Sequence, residues 1–303
     1  MSLRIIFDLF SGRPNPTITL DGNDATAFLN ELSALKTGVT ATTVSAAQQE
    51  SKLGYRGLIV EQIGAPQAGL AGRFRITRDH VLSGGTTLSL AKGGFEERLL
   101  TNSDRLLDAG FSQELVSLIQ TEAKAPPAPT TTASTASGTD PGPAKLLKCP
   151  CSPIYEPNWW NDAATGGARQ FHNNCYNYAT NYRSDTYAQP GRAGGTHISA
   201  VSCPGVKPAA VSDALATYTP DPATGWKCPD KGNLVALVIW PNWDFHFYRV
   251  GKDGFWTHKP GSNPVTNLDN SGRVISDPRT CDRGRYTEFC SFMVAMHGHI
   301  KLQ

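Results

Sequence analysis

A lone cysteine sits in "HNNCYNYATNYR" (172–183), and two histidines, His246 and His258, lie twelve residues apart in "DFHFYRVGKDGFWTHKPG" (244–261). These residue types could do acyl-transfer chemistry. A thiol becomes a strong nucleophile when a base takes its proton, and the base works best when a third group fixes its tautomer. Asn173 or Asn174 can cap a helix that starts at Cys175, because a side-chain amide oxygen accepts a free backbone N–H. Tyr178, Ala179 and Tyr182 follow the cysteine at helical spacing. Cys175 then falls in the first turn, where unpaired amides favour a thiolate and could hold a developing oxyanion. Asn173, Asn174 and Trp243 are the candidates for positioning a substrate or its oxyanion.

The base must come from elsewhere in the chain. "LVALVIW" (234–240) reads as a buried strand, "DFHFYRV" (244–250) as the next, and "GKDG" as the turn into "FWTH". With Gly254 in the left-handed region the loop holds three residues, and Tyr248 faces His258. His246 and His258 then project from one side of the hairpin; a loop longer or shorter by one would separate them. In this reading Cys175 is the nucleophile, His246 the general base and His258 the orienting group. Asn267 or Asp269 is the alternative third member.

The order of nucleophile helix, histidine strand and following strand resembles the NlpC/P60 group of the papain-like cysteine peptidases, over roughly residues 170–262. "NNCYNYA" is similar to that group's nucleophile helix, and "DFHFYR" with "FWTHKPG" to its histidine strand and the next. The resemblance implies a papain-like helix-plus-antiparallel-sheet domain. It also implies a cysteine-dependent hydrolase or acyltransferase that acts on an amide bond, needs no cofactor or metal, and takes a peptide or protein substrate, cell-wall peptide included.

Rival readings start from the other cysteines. Cys149, Cys151, Cys203, Cys228, Cys281 and Cys290 lie among turns, as in an oxidised domain, and could form three disulfides that leave Cys175 over. Cys175 could equally be half of a bridge. Cys149 and Cys151 with His172 or Cys203 could ligate zinc, although no C-x-x-C pair occurs. Trp159, Trp160, Trp243 and Trp256 could stack on sugars or pack a core. The alternative to an enzyme is therefore a non-catalytic, disulfide-stabilised module that binds carbohydrate or protein.

The elements that must position these groups divide at a compositional break. Residues 122–147, "EAKAPPAPTTTASTASGTDPGPAKLL", cannot bury enough surface to offset their ordering entropy, so a tether is expected. All seven cysteines and all six tryptophans follow it. The expected organisation is α+β in two domains: a recognition module (1–121), the linker (122–147) and a catalytic domain (148–303). In the module, strands are expected at 3–10, 17–20, 55–63 and 73–82. Helices are expected at 24–35, capped by Asp24, and at 95–110 and 112–123, with Gly110 closing the former. "FSGRPNP" (10–16) reads as a rigid turn or a recognition loop.

The net charge of +2 gives no reason to expect nucleic acid as a partner, and no apolar run approaches a membrane span. The cysteine usage favours a secreted or cell-surface setting, while the N-terminus lacks the apolar core of a signal peptide.

Overall fold

The computed structural model describes residues 1–39, 52–77, 80–90, 99, 103–124, 148–161, 167–223 and 225–303. It is a mixed α+β protein with two antiparallel sheets. The chain forms two compact units. The first comprises the described residues of 1–9, 15–49 and 54–126, the second those of 10–14, 50–53 and 127–303. Among the described residues no helix is long and apolar enough to cross a membrane.

The first unit is a seven-stranded sheet in the order β2-β1-β4-β5-β6-β7-β3. Its strands are β1 (Ser2–Phe7), β2 (Thr17–Asp21), β3 (Lys36–Val39), β4 (Leu58–Ile63), β5 (Arg73–Thr77), β6 (His80–Ser83) and β7 (Thr86–Leu90). Leu3, Ile5 and Phe7 alternate inward along β1, as a period of two requires of a half-buried strand. Helix α1 (Gly22–Ala34) buries Ala25, Phe28, Leu29 and Leu32. It begins two residues before the expected cap. Asp21 holds the N-cap position and Asp24 lies in the first turn, while Leu35 caps the other end.

Helices α2 (Ser103–Asp108) and α3 (Gln113–Lys124) close the unit. Gly110 ends α2 at φ 85°, its N–H donating to Leu107 O and that of Phe111 to Leu106 O, the paired closure that a left-handed glycine allows. The helix expected from 95 is described only at Leu99 and from Ser103. Residues 122–124 of the expected linker are the last turn of α3, and 125–147 lie outside the described residues.

Beneath this sheet the Asp8 carboxylate, fully buried, meets Arg56 at 2.6 Å and Arg75 at 2.7 Å. Burial alone would raise this carboxyl. The two guanidiniums overcome it and hold Asp8 well below the usual carboxylate range.

The second unit is built on a five-stranded sheet, β11-β10-β9-β12-β8. Its strands are β8 (Ala216–Tyr218), β9 (Asn233–Trp240), β10 (Asp244–Val250), β11 (Trp256–His258) and β12 (Glu288–Ala295). Every residue of β9 and β10 is buried, because both faces of the sheet centre are covered. Four helices flank the sheet: α4 (Pro157–Trp160), α5 (Ala168–Phe171), α6 (Cys175–Ala179) and α7 (Cys203–Ser212). The largest cluster joins Cys175, Tyr176 and Ala179 of α6, Val206 and Ala210 of α7, and Val235, Leu237, Phe245, Phe247 and Met293 of the sheet.

Two disulfides brace the unit, Cys149–Cys228 and Cys203–Cys290, and Cys151, Cys175 and Cys281 are free. The arithmetic of three bridges and one spare thiol is therefore not the one realised. Cys290 bonds Cys203 across the sheet edge, and Cys281 faces the Tyr248 hydroxyl instead. Cys149 and Cys203 are spent in these bridges, which removes both from any zinc site.

Candidate functional site

Helix α6 is short, five residues, and its start is fixed by side chains. The Asn174 amide oxygen accepts the N–H groups of Tyr176 (3.0 Å) and Asn177 (3.2 Å), while Asn177 Oδ1 accepts the Asn174 N–H (3.1 Å). This reciprocal box satisfies donors that a helix start would otherwise leave open. The expected continuation to Tyr182 does not occur. Thr180 is the C-cap, Asn181 turns at φ 54°, and Tyr182 is exposed.

Both asparagines proposed to position a substrate are occupied by the fold. Asn174 Nδ2 donates to Gly12 O and Ala188 O, each at 2.8 Å. Asn173 Nδ2 donates to Arg169 O and Asp185, and its oxygen accepts from Ser184 and Asp185 N–H. Trp243 gives its carbonyl to Arg13 Nη1 at 2.6 Å, and its ring lies against Trp240.

The β10–β11 hairpin closes around Gly254, at φ 90°, with Gly251 N–H donating to Phe255 O. Tyr248 pairs with His258 and Val250 with Trp256. The two imidazoles consequently share a face, and His258 Nδ1 lies 2.9 Å from His246 Nε2. His258 Nε2 lies 3.0 Å from the Leu268 carbonyl. A carbonyl only accepts, so His258 Nε2 carries a proton. With both rings neutral, His258 Nδ1 then accepts from His246 Nε2–H, and His246 Nδ1 is left as an acceptor.

That acceptor is filled by a residue the hairpin does not supply. Ser11 Oγ lies 2.5 Å from His246 Nδ1 and accepts the Gly261 N–H at 3.2 Å. The loop holding Ser11 is clamped by a fully buried carboxylate. Asp244 accepts the N–H groups of Ser11 (2.5 Å), Gly12 (3.1 Å) and Arg13 (2.9 Å), and the Tyr286 hydroxyl at 2.5 Å. Gly12 is required there: a Cβ would stand 2.4 Å from the Phe245 ring and 2.5 Å from its carbonyl.

Cys175 is fully buried. Burial pushes its thiol far above the ordinary cysteine range, and the Asp244 charge adds to this. Contacts to the Phe247 backbone and the Ser11 hydroxyl, and the charge of Lys259, only partly offset the rise. The cysteine belongs to the cluster containing Phe245 and Phe247, whereas His246, between them in β10, points to the opposite face of the pleat. Ser11 thus bridges sulfur and imidazole around the strand.

The remaining candidates serve turns. Asp269 accepts from Ser271, Arg273 and Asp282 N–H, and Asn267 gives its carbonyl to Ile275. The orienting acceptor for His258 is instead the Leu268 carbonyl between them. Of the tryptophans, Trp160 and Trp256 are core residues, and Trp159 is exposed with the Arg169 guanidinium over its ring at 4.7 Å.

Sequence reasoning missed Ser11, Asp244 and the buried Lys259, whose ammonium donates to Gln170 O and Gly261 O. The signal for the first two was a rigid "SGRP" turn and an acid at the first position of the histidine strand. Neither carries information about its partner. Among the described residues no group of three or more His, Cys, Asp or Glu is placed to hold a metal ion.

A curated relative aligns with 145 residues of the chain at 43% identity, which is 47% of this chain and 90% of the relative. That relative is insoluble matrix shell protein 1 of Ruditapes philippinarum, and the chain belongs to its family. No family model matches the chain. No solved structure matches it either.

Proposed function

We propose that the second unit is a disulfide-stabilised, non-catalytic binding module that performs no thiol chemistry, a reading supported by the name of the chain's relative, a shell matrix protein. The observation that carries this reading is the state of Cys175. Its sulfur is wholly enclosed, its proton is held far into the alkaline range, and the imidazole nitrogen nearest in the chain of contacts is already engaged by Ser11. A thiolate nucleophile needs the reverse of each. The two disulfides fit a module whose task is to persist.

Native alkylation with iodoacetamide, mapped by mass spectrometry, tests the proposal. Exposed Cys151 is expected to react first, half-buried Cys281, whose thiol is pushed up to about 12, more slowly, and Cys175 only after unfolding. Labelling of Cys175 in the folded protein faster than Cys151 would overturn it.

One observation favours a second reading, the papain-like thiol hydrolase of the NlpC/P60 type. The His246–His258 pair, with Cys175 one hydroxyl away, has the order of nucleophile, base and orienting group. This reading requires the Ser11 hydroxyl to leave His246 Nδ1. Ser11→Gly should then raise the alkylation rate of Cys175 at neutral pH by tenfold or more, about 1.4 kcal/mol of activation; an unchanged rate disposes of it.

A further inference from the structure

A second feature of this unit is independent of Cys175 and its chemistry. A hollow of about 360 Å3 opens beside the Ser11 loop. Its basic lining residues are Arg13, Arg192 and His197, and among the described residues no carboxylate lines it. Gln189 and Ser199 add polar groups, and Pro190, Ile198, Ala200 and Val201 form an apolar wall. Arg192 and His197 are exposed, so their donors are open to a ligand.

The rim is held by buried contacts rather than by the basic side chains. Asp244 fixes the Arg13 backbone, and Arg13 Nη1 is braced on Trp243 O. Asp213 accepts the N–H groups of Gly191 and Gly194, each at 2.7 Å, behind Arg192. Asp244 and Asp213 are thus both committed to the wall. Gln189 Nε2 donates to Gly12 O at 2.8 Å, which joins the two sides. At Val201 the wall is held by Asn242 N–H, at 2.9 Å from its carbonyl, and two residues on by the Cys203–Cys290 bridge. A preformed rim lowers the ordering cost of binding.

Two guanidiniums and an imidazole lining one hollow, with no carboxylate among the described lining residues, suit a tetrahedral oxyanion, since a guanidinium donates pairwise to such groups. The hollow is roomier than a single ion requires. The Ser199 hydroxyl and the Gln189 amide oxygen can meet hydroxyl groups, and the apolar wall can take a ring face. We infer that this hollow binds a sugar unit bearing a sulfate or phosphate ester, with Arg192, Arg13 and His197 on the ester and Ser199 and Gln189 on the sugar body.

Calorimetric titration of the full chain at fixed ionic strength tests this with five probes: glucose 6-sulfate, glucose 6-phosphate, inorganic sulfate, glucose and citrate. Either ester is expected to bind at least tenfold more tightly than inorganic sulfate or glucose, and which ester binds better identifies the source, sulfated or phosphorylated saccharide. Arg192→Ala and His197→Ala, both at exposed positions, should weaken ester binding by about tenfold or more for the arginine, the loss of a bidentate charged contact, without changing the melting temperature. Ester binding no tighter than inorganic sulfate, citrate binding tighter than either ester, no binding at all, or full affinity retained in Arg192→Ala would each overturn the inference. None of these outcomes bears on Cys175, whose alkylation is read separately.

Discussion

Asp244 is the residue on which the candidate site turns. It opens the histidine strand, yet its carboxylate points at a loop more than two hundred positions earlier in the chain and takes three consecutive amides there, besides the Tyr286 hydroxyl. Successive amides converging on one oxyanion make a nest, and the Ser11 hydroxyl is delivered to His246 as a consequence. Asp244→Ala strands four donors, three of them buried. At the usual cost of an unsatisfied buried group it should destabilise the second unit by about 3 kcal/mol or more, visible as a lower urea midpoint by tryptophan fluorescence. A loss below about 1 kcal/mol would mean that the loop stays put without its acceptor. This residue also marks the limit of what sequence can reveal. His246 and His258 were legible because a local hairpin relates them. Asp244 and Ser11 were not, because nothing in "SGRP" or in an acid at the start of a strand states which distant partner it meets.

At the scale of elements, the hairpin was the readable part. Gly254 alone selects a three-residue loop, and the loop length fixes which side chains share a face. Helix α6 was read correctly at its start and too long at its end. The capping box is written in Asn174 and Asn177, but the stop at Thr180 and Asn181 is accompanied by a local bond from Asn177 to Tyr182 O and a distant one from Arg249 to Asn181. The disulfides belong to this scale too. Cys203–Cys290 pins α7 to β12 over a sequence separation of 87 residues. Long loops gain most from closure, so Cys203→Ala with Cys290→Ala should cost about 2–4 kcal/mol. The expected signature is a melting transition that drops in the double variant and drops further in the wild type under reductant, which opens Cys149–Cys228 as well. A variant as stable as wild type would show that α7 is held by the packing of its Val206 and Ala210 against the sheet alone.

For the whole molecule, the compositional break sets apart two chemically distinct halves of the sequence, since all the cysteines and tryptophans fall on one side of it. It could not predict that residues 10–14 group with the second unit, because chain order and contact order differ there. The two units should also answer acid differently. Asp8 in the first unit titrates well below its unfolded value of about 3.9. Its ionised form therefore stabilises the fold fully above pH 4, and that contribution is lost as the pH falls from there toward its folded value. In the second unit burial outweighs the donors on Asp213 and Asp244 and raises both carboxyls. Their folded forms take up protons first, so acidification from neutral pH down to about 4 relieves a cost and stabilises this unit. Every tryptophan reports on the second unit alone. Below pH 4, far-UV circular dichroism should show the first sheet unfolding while tryptophan fluorescence still holds its folded emission. Asp8→Asn should remove the acid dependence of that early transition and lower its stability at neutral pH by about 3–5 kcal/mol, because Arg56 and Arg75 are left buried without their counter-charge. Coincident transitions by the two probes would show that the units unfold as one, and would place the acid-sensitive group outside the Asp8 cluster.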